Sequence, residues 1–385
     1  MTAAAAPAIR HPGEFRWETR LLAVVTATLI VFGLAATYGA ASLVTSRGGA
    51  NVGLNFALKQ LLFVGLGALL MTVAARVDYH RWRAWSWPLL GLVVVLLLVP
   101  LLPFTHGIAP TINGARRWIR VGPTQFQPSE VARLAIVIWC AMLGAKKGAL
   151  VRDFKKGVLP FLVGIGLVFL LIALEPNLSM ATLVALLGCT VLFAAGAKIG
   201  HFMVLGFGGM LAVWWKLQHG FRAERMKVFL GESASDAAFQ IQNSLIGIGS
   251  GQALGVGFGQ GQQKLGYLPY AYSDFLFSTI GEEWGFVGVV VVVALFTLFC
   301  WLGFRIARTA PDLFGQLLAT GLTCTVGITA FMHMAVSLGL MPTTGLVLPF
   351  MSFGGSSQVI SLVGTGILIN IGRLRGKPVR AAAER

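Results

Sequence analysis

The chain is predicted to be an all-α integral membrane protein. It should form a bundle of ten transmembrane helices, with one long extracytoplasmic loop between the seventh and eighth. Three observations predict this. Hydrophobic residues make up 56% of the 385 and charged residues only 11%, whereas a soluble domain carries about 25% charged residues. The apolar residues fall in runs of about 20, the helical length that crosses a bilayer core. The basic residues, which set the net charge at +16, sit in blocks directly beside those runs. That placement points to anionic lipid as the partner of the charge and away from nucleic acid.

The first run, LLAVVTATLIVFGLAATYGAASLV, places a helix over 20–44. It is too long for a signal-peptide core, lacks a clean small-residue cleavage site and follows Glu14 and Glu18, so it reads as a retained span. Further runs place helices at 56–76 and 86–104. The segment INGARRWIRVGPTQFQPSE leads to a helix at 129–145, and the block AKKGALVRDFKK separates that from 157–174. Helices at 179–197 and 200–216 open onto the one long connection, 217–272. Connections this long are functional or disordered. This one is Gly-rich, and its apolar piece FQIQNSLIGIGSG predicts partial folding against the membrane. Helices at 275–303 and 314–339 flank the basic RIAR. Before the last helix, 350–372, Pro342, Pro349 and the Gly354–Gly355 pair break the helical pattern of MPTTGLVLPFMSFGGSS. Irregular backbone at membrane depth is tolerated where it lines a cavity or is buried in protein. The segment is therefore expected to be a cavity wall. Cys140, Cys189, Cys300 and Cys324 lie inside apolar runs without paired spacing, which implies neither a disulfide frame nor a zinc site. The whole chain, 1–385, reads as a single polytopic domain.

Sidedness follows from the basic residues. With the N-terminus inside, the cytoplasmic segments hold 19 of the 30, among them Arg76, Arg81, Arg83, the cluster from Lys146 to Lys156, Arg305, Arg308 and the C-terminal group from Arg373. Both termini are then cytoplasmic. Seven more lie outside: Arg116, Arg117 and Arg120, and Arg222, Arg225, Lys227 and Lys264. Positive charge outside suits an anionic ligand such as a phosphate; equally, long loops translocate whatever their charge.

The chemistry-bearing stretch is LPYAYSDFLFSTIGEEW, 268–284, with Asp274, Glu282 and Glu283 in a chain that has only 14 acidic residues. Ser273 or Asp274 could simply cap the following helix. The sharper reading is a catalytic carboxylate. On a continuous helix Asp274 and Glu282 would lie about 12 Å apart along the axis and about 80° apart around it. Glycosidases need two carboxyls about 5–9.5 Å apart, so the pair does not suit that job unless Gly281 bends the chain. One carboxylate suits general-base removal of a proton from an attacking hydroxyl when the leaving group is a diphosphate and needs no acid. Cations or a divalent metal such as Mg or Mn would absorb the diphosphate charge, although no metal-ligand cluster is evident. GVGFGQG, 255–261, lacks a preceding strand and a following GK[ST], and reads as a turn rather than a nucleotide loop.

NGARRWI (113–119), QPSEVAR (127–133), EPNLSMATL (175–183), QNSLIGIGSG (242–251), LPYAYSDFLFSTIGEEWGFVG (268–288) and MPTTGLVLPFMSFGGSS (341–357), in this order and spacing, resemble the shape, elongation, division and sporulation (SEDS) family of peptidoglycan glycosyltransferases. The resemblance spans all ten predicted helices. It implies polymerisation of lipid II at the outer leaflet, with undecaprenyl diphosphate leaving and Asp274, at the family's aspartate position, as the base. It also implies a bacterial plasma (inner) membrane location and a partner, a cognate class B penicillin-binding protein among other divisome proteins. Arg116, Arg117 and Lys264 become candidates for the diphosphate. Glu130 and Arg133, at i and i+3 on one helix face, form an ion pair in the cavity or touch substrate. Ser352, Gly354, Gly355 and Ser356 belong to the cavity wall facing Asp274 and are candidate substrate-binding residues, and Glu175, Glu282 and Glu283 shape and support the cavity. Three positions depart from the family's usual spelling: Tyr270 and Tyr272 stand for Glu and His, and Asn177 stands for Asp.

Within the family, GQQKLGYLP and the NGARRWI spelling lean toward the septal, division enzyme over the elongation enzyme. A lipid II flippase also fits ten spans and intramembrane acids, although the acids cluster at one face and do not traverse the spans. A catalytically silent scaffold is the third reading.

Overall fold

The computed structural model describes residues 16–41, 50–105, 107–112, 114–122, 124–203 and 236–374. It is almost entirely helical. We number the long helices α1 (Arg16–Ala40), α2 (Ala50–Arg76), α3 (His80–Leu98), α4 (Pro128–Lys147), α5 (Leu159–Leu174), α6 (Leu178–Ala194), α7 (Asp236–Ser250), α8 (Leu276–Arg308), α9 (Leu313–Ser337) and α10 (Gly355–Arg373). A two-stranded antiparallel hairpin, β1 (Ile119–Val121) and β2 (Thr124–Phe126), leads into α4. Eight of the described helices are long and apolar enough to cross a membrane, and α6 is a shorter apolar helix. The expectation of an all-α membrane bundle is borne out. The helix expected at 200–216 lies, beyond its first residues, outside the described residues.

Helix boundaries follow local chemistry. Pro128 at the first turn of α4 gives up only an amide that a helix start leaves unpaired. Asp312 caps α9 by accepting the Gly315 amide at 3.3 Å. α4 is the central helix, with almost every residue from Pro128 to Gly144 buried. α2 and α3, by contrast, expose large apolar side chains such as Leu61, Leu69, Leu92 and Val95, as lipid-facing helices do. α2 and α10 pack backbone to backbone: a methyl on Gly366 would lie 2.3 Å from the Met71 carbonyl oxygen.

The bundle has two ends. At one, Tyr79 donates its hydroxyl to Asp312, and Asn370 bridges the Tyr79 amide (2.9 Å) and the Ala75 carbonyl (3.0 Å). Glu18 and Arg305 pair at this same end, with the guanidinium over Trp17 and Trp301. At the other end α4, α8 and α10 begin, and every predicted site residue is found on that side or just beneath it.

Three expectations are corrected. The last helix starts at Gly355 and not at 350, because 349–353 form a turn with Phe350 at φ 64°. The bend in α8 falls at Gly285 (φ 63°, ψ −161°) and not at Gly281, so the chain from 276 to 284 is continuous. The capping position of α8 is Phe275, one residue after Asp274 and two after Ser273. The expected partial folding of the long connection takes the form of α7, which packs on α8 and α9. Ser278 Oγ donates to the Ser244 carbonyl and Ser244 Oγ to the Ser337 carbonyl, both at 2.7 Å.

Candidate active site

Asp274 sits in the turn that precedes α8, its amide donating to the Tyr270 carbonyl at 2.9 Å. The wall opposite is the irregular segment 342–348. A methyl on Gly345 would lie 3.7 Å from Asp274 Oδ2, and Gly345 has φ +69°, a conformation that disfavours a side chain. A side chain at 345 would come into van der Waals contact with the carboxylate.

Tyr272 links the turn to the rest of the wall. Its ring meets Phe56 of α2 edge-on at 5.2 Å and Phe353 at 5.9 Å, while Phe56 and Phe353 stack at 4.2 Å. The Phe353 amide donates to the Tyr272 carbonyl at 3.1 Å. Burial pushes the Tyr272 phenol up, and the neighbouring Tyr270 and Asp274 add to that. This tyrosine therefore supplies an apolar brace with a neutral hydroxyl where the family pattern has an imidazole.

The serines and glycines of the wall are engaged within the protein. Ser352 is buried and its Oγ accepts the Leu348 amide at 3.1 Å. Ser356 Oγ accepts the Gln127 amide at 3.1 Å, tying the start of α10 to the start of α4. A methyl on Gly355 would strike the Phe63 ring at 2.5 Å, and one on Gly354 would meet Val347 at 3.3 Å. Beneath them, Glu130 and Arg133 pair at 3.0 Å, both almost fully buried, and Arg133 also donates to Ser361 Oγ at 3.1 Å. Arg133, Ser361, Thr325 and Thr365 line a small cavity between α4, α8, α9 and α10.

Lys264 is placed differently from the sequence expectation. Its ammonium is buried, 2.7 Å from Glu283 Oε1 and 2.9 Å from the Gly39 carbonyl. Glu282 Oε1 accepts the amides of Gln262 (2.6 Å) and Gln263 (3.2 Å). The stretch 251–265 thus wraps the break in α8. The Val256 amide donates to the Glu282 carbonyl, the Gly257 amide to the Glu283 carbonyl and the Phe286 amide to the Gln252 carbonyl. GVGFGQG is the turn that makes this possible, with Gly255, Gly257 and Gly259 all at positive φ. Lys264 therefore spends its charge inside the protein because a buried Glu283 stands 19 residues away across that turn.

Arg116 is likewise committed. It donates to the carbonyls of Ala109 (3.2 Å) and Leu102 (3.1 Å) and to Thr105 Oγ1 (2.8 Å), stapling the connection after α3. Arg117 lies near Glu175, and its Nε has no hydrogen-bond partner. Glu175 is fully buried at the end of α5, neither of its oxygens is hydrogen-bonded, and Asn177 Nδ2 is also unpartnered. Burial pushes the Glu175 carboxyl up to about 8, and Arg117 pulls it part of the way back. Among the described residues no group of three His, Cys, Asp or Glu is placed to hold a metal ion. Arg222, Arg225 and Lys227 lie outside the described residues.

Two features went unread in the sequence. Phe56 and Phe353 gave no signal, because the chain holds 26 phenylalanines. His333 did: it is one of six histidines and falls inside an apolar run. It is fully buried, with Nδ1 2.7 Å from the Leu346 carbonyl.

Comparison with known proteins places the chain. The family described as Cell cycle protein, which groups FtsW, RodA and SpoVE, matches residues 19–376. A probable peptidoglycan glycosyltransferase FtsW from Geobacter sp. (strain M18) is 37% identical over 361 residues, covering 92% of this chain and 97% of that protein. Stage V sporulation protein E of Bacillus subtilis (strain 168) is 37% identical over 356 residues, 92% of this chain and 96% of that one. Among solved structures, a chain of a peptidoglycan synthase complex that coordinates polymerization and crosslinking superposes with a TM-score of 0.77 at 28% identity, over 93% of this chain and 98% of that one. The rod shape determining protein RodA of Thermus thermophilus gives a TM-score of 0.68 at 28% identity, over 92% and 96%. With both sequence and architecture matched over nearly the whole length, the chain belongs to the FtsW, RodA and SpoVE family of cell cycle proteins.

Proposed function

We propose that this protein is a peptidoglycan glycosyltransferase that polymerises lipid II at the outer leaflet, with Asp274 as the general base. One observation carries the assignment of the base: Asp274 stands in the turn before α8, only partly buried, beside the irregular wall at Gly345, where a methyl would come to 3.7 Å from its Oδ2. Glu282 and Glu283, the other acids of that stretch, are tied to backbone amides and to Lys264. The names of the relatives, peptidoglycan glycosyltransferase among them, support the reaction class.

In the reaction, Asp274 takes the proton from the acceptor hydroxyl as its oxygen bonds to the donor's anomeric carbon. The bond from that carbon to the diphosphate breaks, and undecaprenyl diphosphate leaves with the electron pair. A diphosphate needs no general acid, only positive charge nearby. Arg117 is the candidate for that role retained from the sequence, since Arg116 and Lys264 are engaged elsewhere. Glu130 and Arg133 hold the cavity beneath.

The proposal extends to setting. The chain is a single polytopic domain of ten helices with both termini cytoplasmic, and the 217–272 connection lies outside. It sits in the bacterial plasma membrane, at the septum, with a cognate class B penicillin-binding protein as partner. The FtsW names among the relatives favour the division role over elongation. A tagged protein found along the sidewall would reverse that choice.

Purified protein with its cognate penicillin-binding protein, given labelled lipid II, is expected to make glycan polymer. Asp274→Asn abolishes it while the protein still elutes as a single species. Full polymerisation by Asp274→Asn sinks the assignment of the base, and translocation without polymerisation would make the protein a flippase.

A further inference from the structure

We propose that His333 is a positioning residue that sets the gap between Asp274 and the Gly345 wall. The inference rests on the reading of Asp274 as the base. It begins from a requirement: backbone that is neither helix nor strand inside an apolar bundle must have its amides and carbonyls answered by side chains. In 345–348, Ser352 answers the Leu348 amide and His333 answers the Leu346 carbonyl. A carbonyl only accepts, so His333 Nδ1 carries the proton, and the ring is fixed in that tautomer. Leu346 is the residue after Gly345, so the imidazole holds the wall one residue from the position where a methyl would lie 3.7 Å from Asp274 Oδ2.

The same turn of α9 also holds the other side of the gap. Ser337 Oγ donates to the His333 carbonyl at 3.0 Å, and the Ser337 carbonyl accepts Ser244 Oγ. The Ser244 carbonyl accepts Ser278 Oγ, in the first turn of α8 just beyond Asp274. One short piece of α9 therefore references both the wall and the helix that carries the base. His333 touches neither the carboxylate nor its expected substrate. It acts through Leu346.

Asparagine and glutamine separate this role from mere filling of space. The Nδ2 of asparagine occupies the position of imidazole Nδ1, whereas glutamine reaches only to the position of Nε2. With lipid II polymerisation as the assay, His333→Asn is expected to stay within about threefold of wild type in kcat, while His333→Gln and His333→Leu lose about tenfold or more with little change in KM. Hydrogen exchange at the amides of 343–348 should quicken in the glutamine and leucine variants and not in the asparagine variant. Glutamine matching asparagine in both readouts, or leucine matching wild type, would overturn the proposal. If leucine prevents folding, the asparagine–glutamine comparison still decides. Polymer from Asp274→Asn, or none from wild type, would count against the base assignment instead. Exchange at 343–348 would still report on His333.

Discussion

Two buried carboxylate regions on the same side of the bundle are built in opposite ways. Between 251 and 285, Glu282 takes two backbone amides and Glu283 takes Lys264, so the acids act as struts for the wrap around the α8 break. At 175–177, Glu175 is equally buried, yet neither of its oxygens has a hydrogen-bond partner. Burial by itself therefore says little about what an acid does. A paired acid fixes chain geometry. An unpaired one has its carboxyl pushed up by burial and becomes sensitive to pH.

The largest expected effect comes from breaking the strut. Lys264→Met leaves Glu283 buried without its cation, at a cost of about 3–5 kcal/mol. Adding Glu283→Gln should restore most of the lost thermal stability in detergent. A double variant no better than the single would show that the pair is not the strut. Next is Gly285→Ala. Its φ and ψ, 63° and −161°, lie where only glycine is comfortable, and a methyl would lie 2.3 Å from the Gly255 amide nitrogen. Strain of this kind costs about 1–3 kcal/mol before the clash is counted. Thermal unfolding of Gly285→Ala at wild-type temperature would mean that the wrap is not held as described.

The last effect belongs to Glu175, and it is smallest near pH 5 because it depends on pH. Its carboxyl is raised from 4.5 to about 8 on folding, so the folded state keeps a proton that the unfolded state gives up over that interval. Stability therefore falls as pH rises from about 4.5 to about 8. Glu175→Gln should unfold within a few degrees of wild type at pH near 5 and be the more stable of the two above pH 8, roughly as the linkage relation requires. A wild type whose melting temperature is flat across that window would remove the contrast with Glu283.

Much of this was legible in one dimension. Apolar runs set the spans, and i, i+3 spacing placed Glu130 and Arg133 where they can pair, as they do at 3.0 Å. Pro342, Pro349 and the glycine pair announced an irregular wall near 341–355, and it lies against Asp274. Lys264 could not be placed in the same way. Charge and sidedness suggested an anionic ligand, but its partner is an acid across a glycine-rich turn whose path no local pattern specifies. The bend at Gly285 was equally hidden, because Gly281 is as flexible on paper. What singles out Gly285 is the close approach of the backbone at Gly255.

The sequence by itself determined the membrane class, the approximate spans and the stretch that carries Asp274. These depend on transfer of apolar side chains out of water and on helical periodicity, both local properties of the chain. Only the tertiary structure decided which cations are spent on internal pairs and which residue of α9 holds the wall. It also decided which acids are tied into the wrap around the α8 break. Those outcomes turn on hydrogen bonds and ion pairs between segments distant in sequence, whose strength depends on a burial that exists only after the helices have packed.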